Sequence, residues 1–160
     1  MVIVHCQQTL PQRGYVMSGD RPAFTVRSVQ HRLPRTPRSV ARARTALRAQ
    51  LTAWGVGPDD VTTAELVLSE LVANAVQHAG DPPGRQVKVT LTCTDDGLLR
   101  IEVCDACTAL PRPRDTAPAA DAESGRGLLL VAALAEGWGV TPRAYGIGKT
   151  VWAELKLAPA

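Results

Sequence analysis

The sequence predicts an α/β two-layer sandwich: one β-sheet covered on one face by helices. Three observations carry this expectation. Apolar spacing switches between period two and period 3.6 along the chain, giving the order β-α-α-β-β-α-β-β. Two alternating stretches flank Asp95-Asp96-Gly97, a hairpin signal. The 160 residues, 45% of them hydrophobic, suffice for one packed domain without disulfide or metal staples.

Residues 1–22 lack apolar periodicity and contain Pro11, Gly14, Gly19 and Pro22, so a flexible tail is expected ahead of a domain over 23–160. Phe24 to Val29 alternates apolar and polar residues and reads as a short strand. Thr36-Pro37 then provides an N-cap and a first helical residue. Val40, Leu47, Leu51 and Trp54 follow at helical spacing, with Arg38, Arg42 and Arg48 largely off that stripe, and Gly55 ends the helix.

Gly57-Pro58-Asp59-Asp60 turns the chain and starts a second helix, expected to run to about Ala79. Its apolar face carries Val61, Ala64, Leu68, Leu71, Val72 and Ala75, and Gly80-Asp81-Pro82-Pro83-Gly84 stops it. Gln86–Cys93 and Leu98–Asp105 are the hairpin strands. Residues 106–124 form a long connection without periodicity, the kind that is usually functional or disordered. Gly125-Arg126-Gly127 opens a third helix, Leu128–Glu136, closed by Gly137. Trp138–Thr141 and Thr150–Leu157 are the last strands, joined by a Gly-rich turn.

Composition excludes several classes. The longest apolar run, Leu128 to Ala135, is eight residues, against the 18 or so that mark a membrane-spanning helix. The start of the chain has no basic segment followed by a long apolar stretch, so no secretory signal and a cytoplasmic location are expected. Residues 1–50 hold nine Arg and one Asp, a net +8, while the remainder is net −5. A basic block of this kind is either a surface for nucleic acid or an acidic partner, or a solvated helix face plus a disordered tail, and the last is favoured over nucleic acid. Nucleic acid is the weaker option, because the block has few aromatics for stacking. Cys104-Asp105-Ala106-Cys107 lacks the second Cys or His pair of a zinc site, and no helical pattern follows it as a redox motif requires.

The chemistry lies in four segments. Glu70 and Asn74, four residues apart on the second helix, project to one side beside its apolar stripe. An amide oxygen such as that of Asn74 suits a hard cation like Mg²⁺, and a carboxylate one turn earlier suits a general base. Asp105 ends its strand on the face of Ile101 and Val103, where a carboxylate can accept an N–H from a ligand base. Gly125-Arg126-Gly127 precedes a helix, whose free N–H groups can hold an anion. Gly148-Lys149-Thr150 resembles the end of a P-loop, but the required earlier Gly is Arg143 and the triplet leads into a strand, so that reading fails.

In this order the segments resemble the N box, the two glycine boxes and the final Gly-Thr box of the GHKL ATP-binding superfamily, which includes gyrase B, Hsp90, histidine kinases and MutL. The stretches from Glu70 to Ala79, Gly127 to Val131 and Lys149 to Leu155 look like the branch of small anti-sigma-factor serine/threonine kinases. The resemblance covers about residues 24–157. It implies a Bergerat-type fold with a mixed, mostly antiparallel sheet. It also implies ATP and Mg²⁺ as cofactors, with Asn74 holding Mg²⁺ that bridges the phosphates and Glu70 as catalytic base. Asp105 would accept the adenine amino group, and Thr150 would lie near the adenine. Gly125 and Gly127 would give N–H groups to the phosphates beneath a lid of residues 106–124. From charge and place, Arg126 and Lys149 are expected to neutralise phosphate, and His78 to be a helix-end residue. Two departures stand out: Cys107 replaces a usual Gly, and Lys149 separates Gly148 from Thr150.

The implied activity is ATP-dependent phosphorylation of a small antagonist protein on Ser or Thr, with a sigma factor as a further partner and a homodimer as an option. The alternative is a non-catalytic or weakly ATP-binding regulator of the same fold. No phosphoacceptor His segment and no sensor domain are seen, so histidine-kinase, topoisomerase and chaperone activities are not expected. The partner is then expected to supply the phosphoacceptor. The basic block lies outside all four segments and is assigned to protein contacts.

Overall fold

The computed structural model describes residues 25–77, 86–106 and 127–159. The elements are β1 (Val26–Pro34), α1 (Arg38–Ala53), α2 (Pro58–Gln77), β2 (Gln86–Thr94), β3 (Leu98–Asp105), α3 (Gly127–Leu134), β4 (Gly137–Pro142) and β5 (Lys149–Lys156). A 3-10 turn over Ala144–Gly146 separates β4 from β5. This is the order that the spacing predicts. The strands form one sheet in the order β1-β2-β3-β5-β4. All its pairings are antiparallel, so the sheet is not mixed. The expected tail, the segment from His78 to Arg85 and the connection after Ala106 lie outside the described residues.

Strand alternation sorts the side chains onto two faces. Val87, Val89 and Leu91 of β2, Leu99, Ile101 and Val103 of β3, and Val151, Ala153 and Leu155 of β5 are all buried on one face. They form a continuous core with Ala43, Leu47 and Leu51 of α1 and Ala64, Val67, Leu68, Leu71, Val72 and Ala75 of α2. The opposite face carries Thr, Lys, Arg, Glu and Trp side chains and is not covered by these helices. On it Arg100 lies over the Trp152 ring at 4.2 Å and reaches Glu154 at 2.6 Å.

Three boundaries differ from the sequence expectation, each for a local reason. β1 continues past Val29 to Pro34 because its whole length pairs with β2, from Val26 opposite Thr94 to Pro34 opposite Gln86. As an edge strand it tolerates polar residues and a terminal Pro that would weaken a central one. In α1 the helix runs from Arg38 with Pro37 as its N-cap, not Thr36, although Pro37 already has helical backbone angles. The buried Ser39 hydroxyl donates to the Pro34 carbonyl, which ties this first turn to the end of β1. α3 covers Gly127–Leu134 and stops before Glu136, whose N–H already donates to the Glu154 carbonyl of β5 at 2.9 Å.

The helix layer is tied to the sheet and within itself by polar contacts. Arg27 of β1 donates to the Trp54 carbonyl at 2.8 Å, where α1 ends, and lies over the Trp54 ring. Arg48 of α1 pairs with Glu65 of α2 at 2.7 Å, which accounts for one member of the basic block.

Ile101 is fully buried in the central strand β3. Ile101→Ala is expected to reduce stability by about 3 kcal/mol through lost burial and a residual cavity. Urea unfolding checks this, and a loss under about 1 kcal/mol would contradict the packing described.

Candidate functional site

The site begins with α2. The apolar positions of this helix face α1, α3 and the sheet, leaving Glu70 and Asn74 half-buried at the margin of that contact. Neither side chain has a hydrogen bond or ion pair among the described residues. The first residue of α3, Gly127, lies directly against the Glu70 carboxylate. A Cβ built on Gly127 would collide with Glu70 Oε2 and stand 3.1 Å from its Cδ. The start of α3 thus packs against the acid, and a larger residue at 127 would require the Glu70 side chain to move. The positive end of a helix also favours a negative charge at this place. Gly125 and Arg126 lie outside the described residues.

The second part of the site is the paired ends of β3 and β5. Asp105 and Lys149 are directly opposite each other. Both face the helix layer and both are buried, at 3% and 4% exposure. Lys149 Nζ donates to Asp105 Oδ1 at 3.2 Å. Burying two charges costs several kcal/mol per ion and is tolerable only when they meet. Gly148 brings them together. Its φ is +130°, and a Cβ there would overlap the Asp105 carbonyl oxygen and come within 2.7 Å of Ala106 Cα. No other residue lets β5 start this close to the end of β3.

The surroundings of two expected site residues are now visible. Lys149, expected to neutralise phosphate, is held against Asp105, the residue expected to receive the base. Thr150, expected near the base, points to the opposite face, where its hydroxyl meets Cys104 Sγ at 3.0 Å. The cause is strand alternation: Lys149 shares a face with Val151 and Ala153, and Thr150 shares one with Trp152. That signal was present in the sequence, because the same alternation correctly placed Asp105 with Ile101 and Val103.

Among the described residues no group of three or more His, Cys, Asp or Glu side chains could hold a metal ion. Magnesium held through substrate phosphates needs no such group, since one or two protein oxygens suffice. The half-buried Asn74 amide, unengaged by the described residues, fits that role. Among the described residues no helix is long and apolar enough to cross a membrane.

A helix-covered antiparallel sheet, with an acid and an amide on one helix and a buried Asp at a strand end, defines the GHKL nucleotide-binding architecture. Residues 33–155 match the histidine kinase-like ATPase domain, and the chain belongs to that family. No curated protein matches the chain at a significant level. The fold recurs in solved structures, including these two. One is the RsbU and RsbW domains of Rv1364c from Mycobacterium tuberculosis, with a TM-score of 0.64 and 22% identity over 84% of this chain and 34% of that one. The chain thus spans about a third of that protein structure. The other is the SiaB–SiaC complex from Pseudomonas aeruginosa, with a TM-score of 0.56 and 15% identity over 81% of this chain and 89% of that one.

Gly148→Ala should lower stability by about 3 kcal/mol or more, because strain and backbone overlap act together. Gly146→Ala should cost only about 1 kcal/mol, since Gly146 has a positive φ but open space around it. Equal effects of the two variants in denaturant unfolding would contradict the close β3–β5 contact.

Proposed function

We propose that this chain is an ATP-binding regulator acting as a serine/threonine protein kinase of the anti-sigma-factor type. The observation that supports it most is Glu70: a half-buried carboxylate under the first residue of α3, one helical turn before Asn74. In this reading Asp105 accepts the adenine amino group, and Lys149 orients its carboxylate. Gly127, with Gly125 and Arg126 before it, lies on the phosphate side. Asn74 contributes its amide oxygen to Mg²⁺, and the ion would supply neutralisation of phosphate charge. Glu70 takes the proton of a Ser or Thr hydroxyl on the partner as that oxygen bonds to the γ-phosphorus. The bond from the γ-phosphorus to the bridging oxygen breaks, and ADP leaves with the electron pair.

The partner would be a small antagonist protein, with a sigma factor as a further one, in a cytoplasmic setting. Support comes from two fold relatives, an RsbW domain and a SiaB–SiaC complex. A homodimer is compatible with this reading.

A second reading is a non-catalytic regulator with weak ATP binding or none. One observation favours it: Lys149 already holds the carboxylate that would receive the base. Mg·ATP binding by calorimetry together with phosphotransfer to a co-purified partner separates the two. The kinase reading expects Glu70→Ala to retain ATP binding and lose phosphotransfer by about 100-fold or more. It expects Asn74→Ala to lose Mg²⁺-dependent binding. Absence of Mg²⁺-dependent binding in the unaltered chain would leave only the second reading. Phosphotransfer surviving in Glu70→Ala would remove Glu70 from its role.

A further inference from the structure

On the sheet face away from the helices, Arg32, Gln86, Lys88, Cys104 and Arg143 line a half-open cleft of about 200 Å³. Arg32 of β1 and Lys88 of β2 are directly opposed cross-strand partners, and Lys88 in turn opposes Cys104 of β3. Like charges placed directly opposite weaken a sheet. Among the described residues none of the three cations Arg32, Lys88 and Arg143 pairs with a carboxylate. The contrast with Arg100 is informative: on the same face that cation has two carboxylate partners, Glu102 and Glu154. The neutral members of the cleft are the Gln86 amide and the Cys104 thiol, the latter against the Thr150 hydroxyl.

We propose that this cleft is a binding site for a phosphoryl dianion. Two guanidinium forks and an ammonium match the charge and tetrahedral oxygens of a phosphoryl group, and Arg in particular bonds it bidentately. The size agrees, since a half-open cleft of about 200 Å³ has room for a phosphoryl group. The site is on the other face of the sheet from Asp105 and Lys149, so it stands independently of the nucleotide reading. The same chemistry has two sources, free inorganic phosphate and a phosphomonoester on a protein side chain.

The full chain is to be melted in increasing inorganic phosphate and in sodium chloride of matched ionic strength. Phosphate should raise the melting temperature beyond chloride, because an ion that binds the folded state stabilises it. Arg32→Gln, Lys88→Gln and Arg143→Gln should each weaken the apparent phosphate affinity about tenfold or more. Arg48→Gln, at an ion pair on the helix layer, should leave it unchanged. A short phosphoserine peptide is titrated in parallel. Tighter binding than inorganic phosphate, lost in the same three variants, assigns the site to a phosphorylated protein segment, and equal binding assigns it to the free ion. Stabilisation no greater than in chloride, or phosphate binding unchanged in all three cleft variants, would overturn the proposal.

Discussion

At the ends of β3 and β5 an aspartate and a lysine are buried side by side on the helix-facing side of the sheet, 3.2 Å apart. A hydrophobic pair could fill this space at no desolvation cost, and replacing a buried ion pair by apolar residues is often neutral or stabilising. The pair therefore matters less as a source of stability than as a means of holding a carboxylate inside a water-poor pocket. Its existence depends on Gly148, which lets two backbones approach more closely than any side chain would allow. It also depends on the pleat, which sends Lys149 inward and Thr150 outward. The other part of the candidate site lies on the helix layer, with α2 supplying Glu70 and Asn74 and α3 starting against the Glu70 carboxylate.

The fold was legible in the sequence because apolar spacing is strong where the core is. The residues placed on the apolar face of α2 are buried, and β3 runs from Leu98 to Asp105 as expected. β1 was read too short because an edge strand draws its order from pairing with β2, which a local pattern does not display. The cap of α1 was misplaced by one residue because a Pro before the helix can sit at either position. Val67 and Ser39 were not picked out, yet both are fully buried. Ser39 is a polar residue whose hydroxyl is satisfied by the Pro34 carbonyl at the end of β1, and no spacing rule reveals that.

The site was legible in part. Glu70 and Asn74 share one side of α2, and Asp105 faces the helices. The contacts between elements were not visible: that Gly127 lies against Glu70, and that Lys149 meets Asp105. The first depends on how α3 packs on α2. The second follows from alternation along β5, which a motif-based reading of Gly148-Lys149-Thr150 passes over.

The basic block of residues 1–50 also resolves into parts with different surroundings. Arg27 secures the end of α1, Arg48 is neutralised by Glu65, and Arg32 joins Lys88 and Arg143 on the open sheet face. The two faces of the sheet thus carry different electrostatics, a buried ion pair on one and, on the other, a cleft of three cations with no carboxylate partner among the described residues. The central claim is that the helix-facing end is a nucleotide site. The most direct measurement is a titration of the isotope-labelled chain with Mg²⁺ and a non-hydrolysable ATP analogue, followed by amide chemical shifts. The account predicts saturable shifts centred on Asn74, Asp105, Gly127 and Lys149. Shifts confined to Arg32, Lys88 and Cys104 on the opposite face, or none at all, would contradict it.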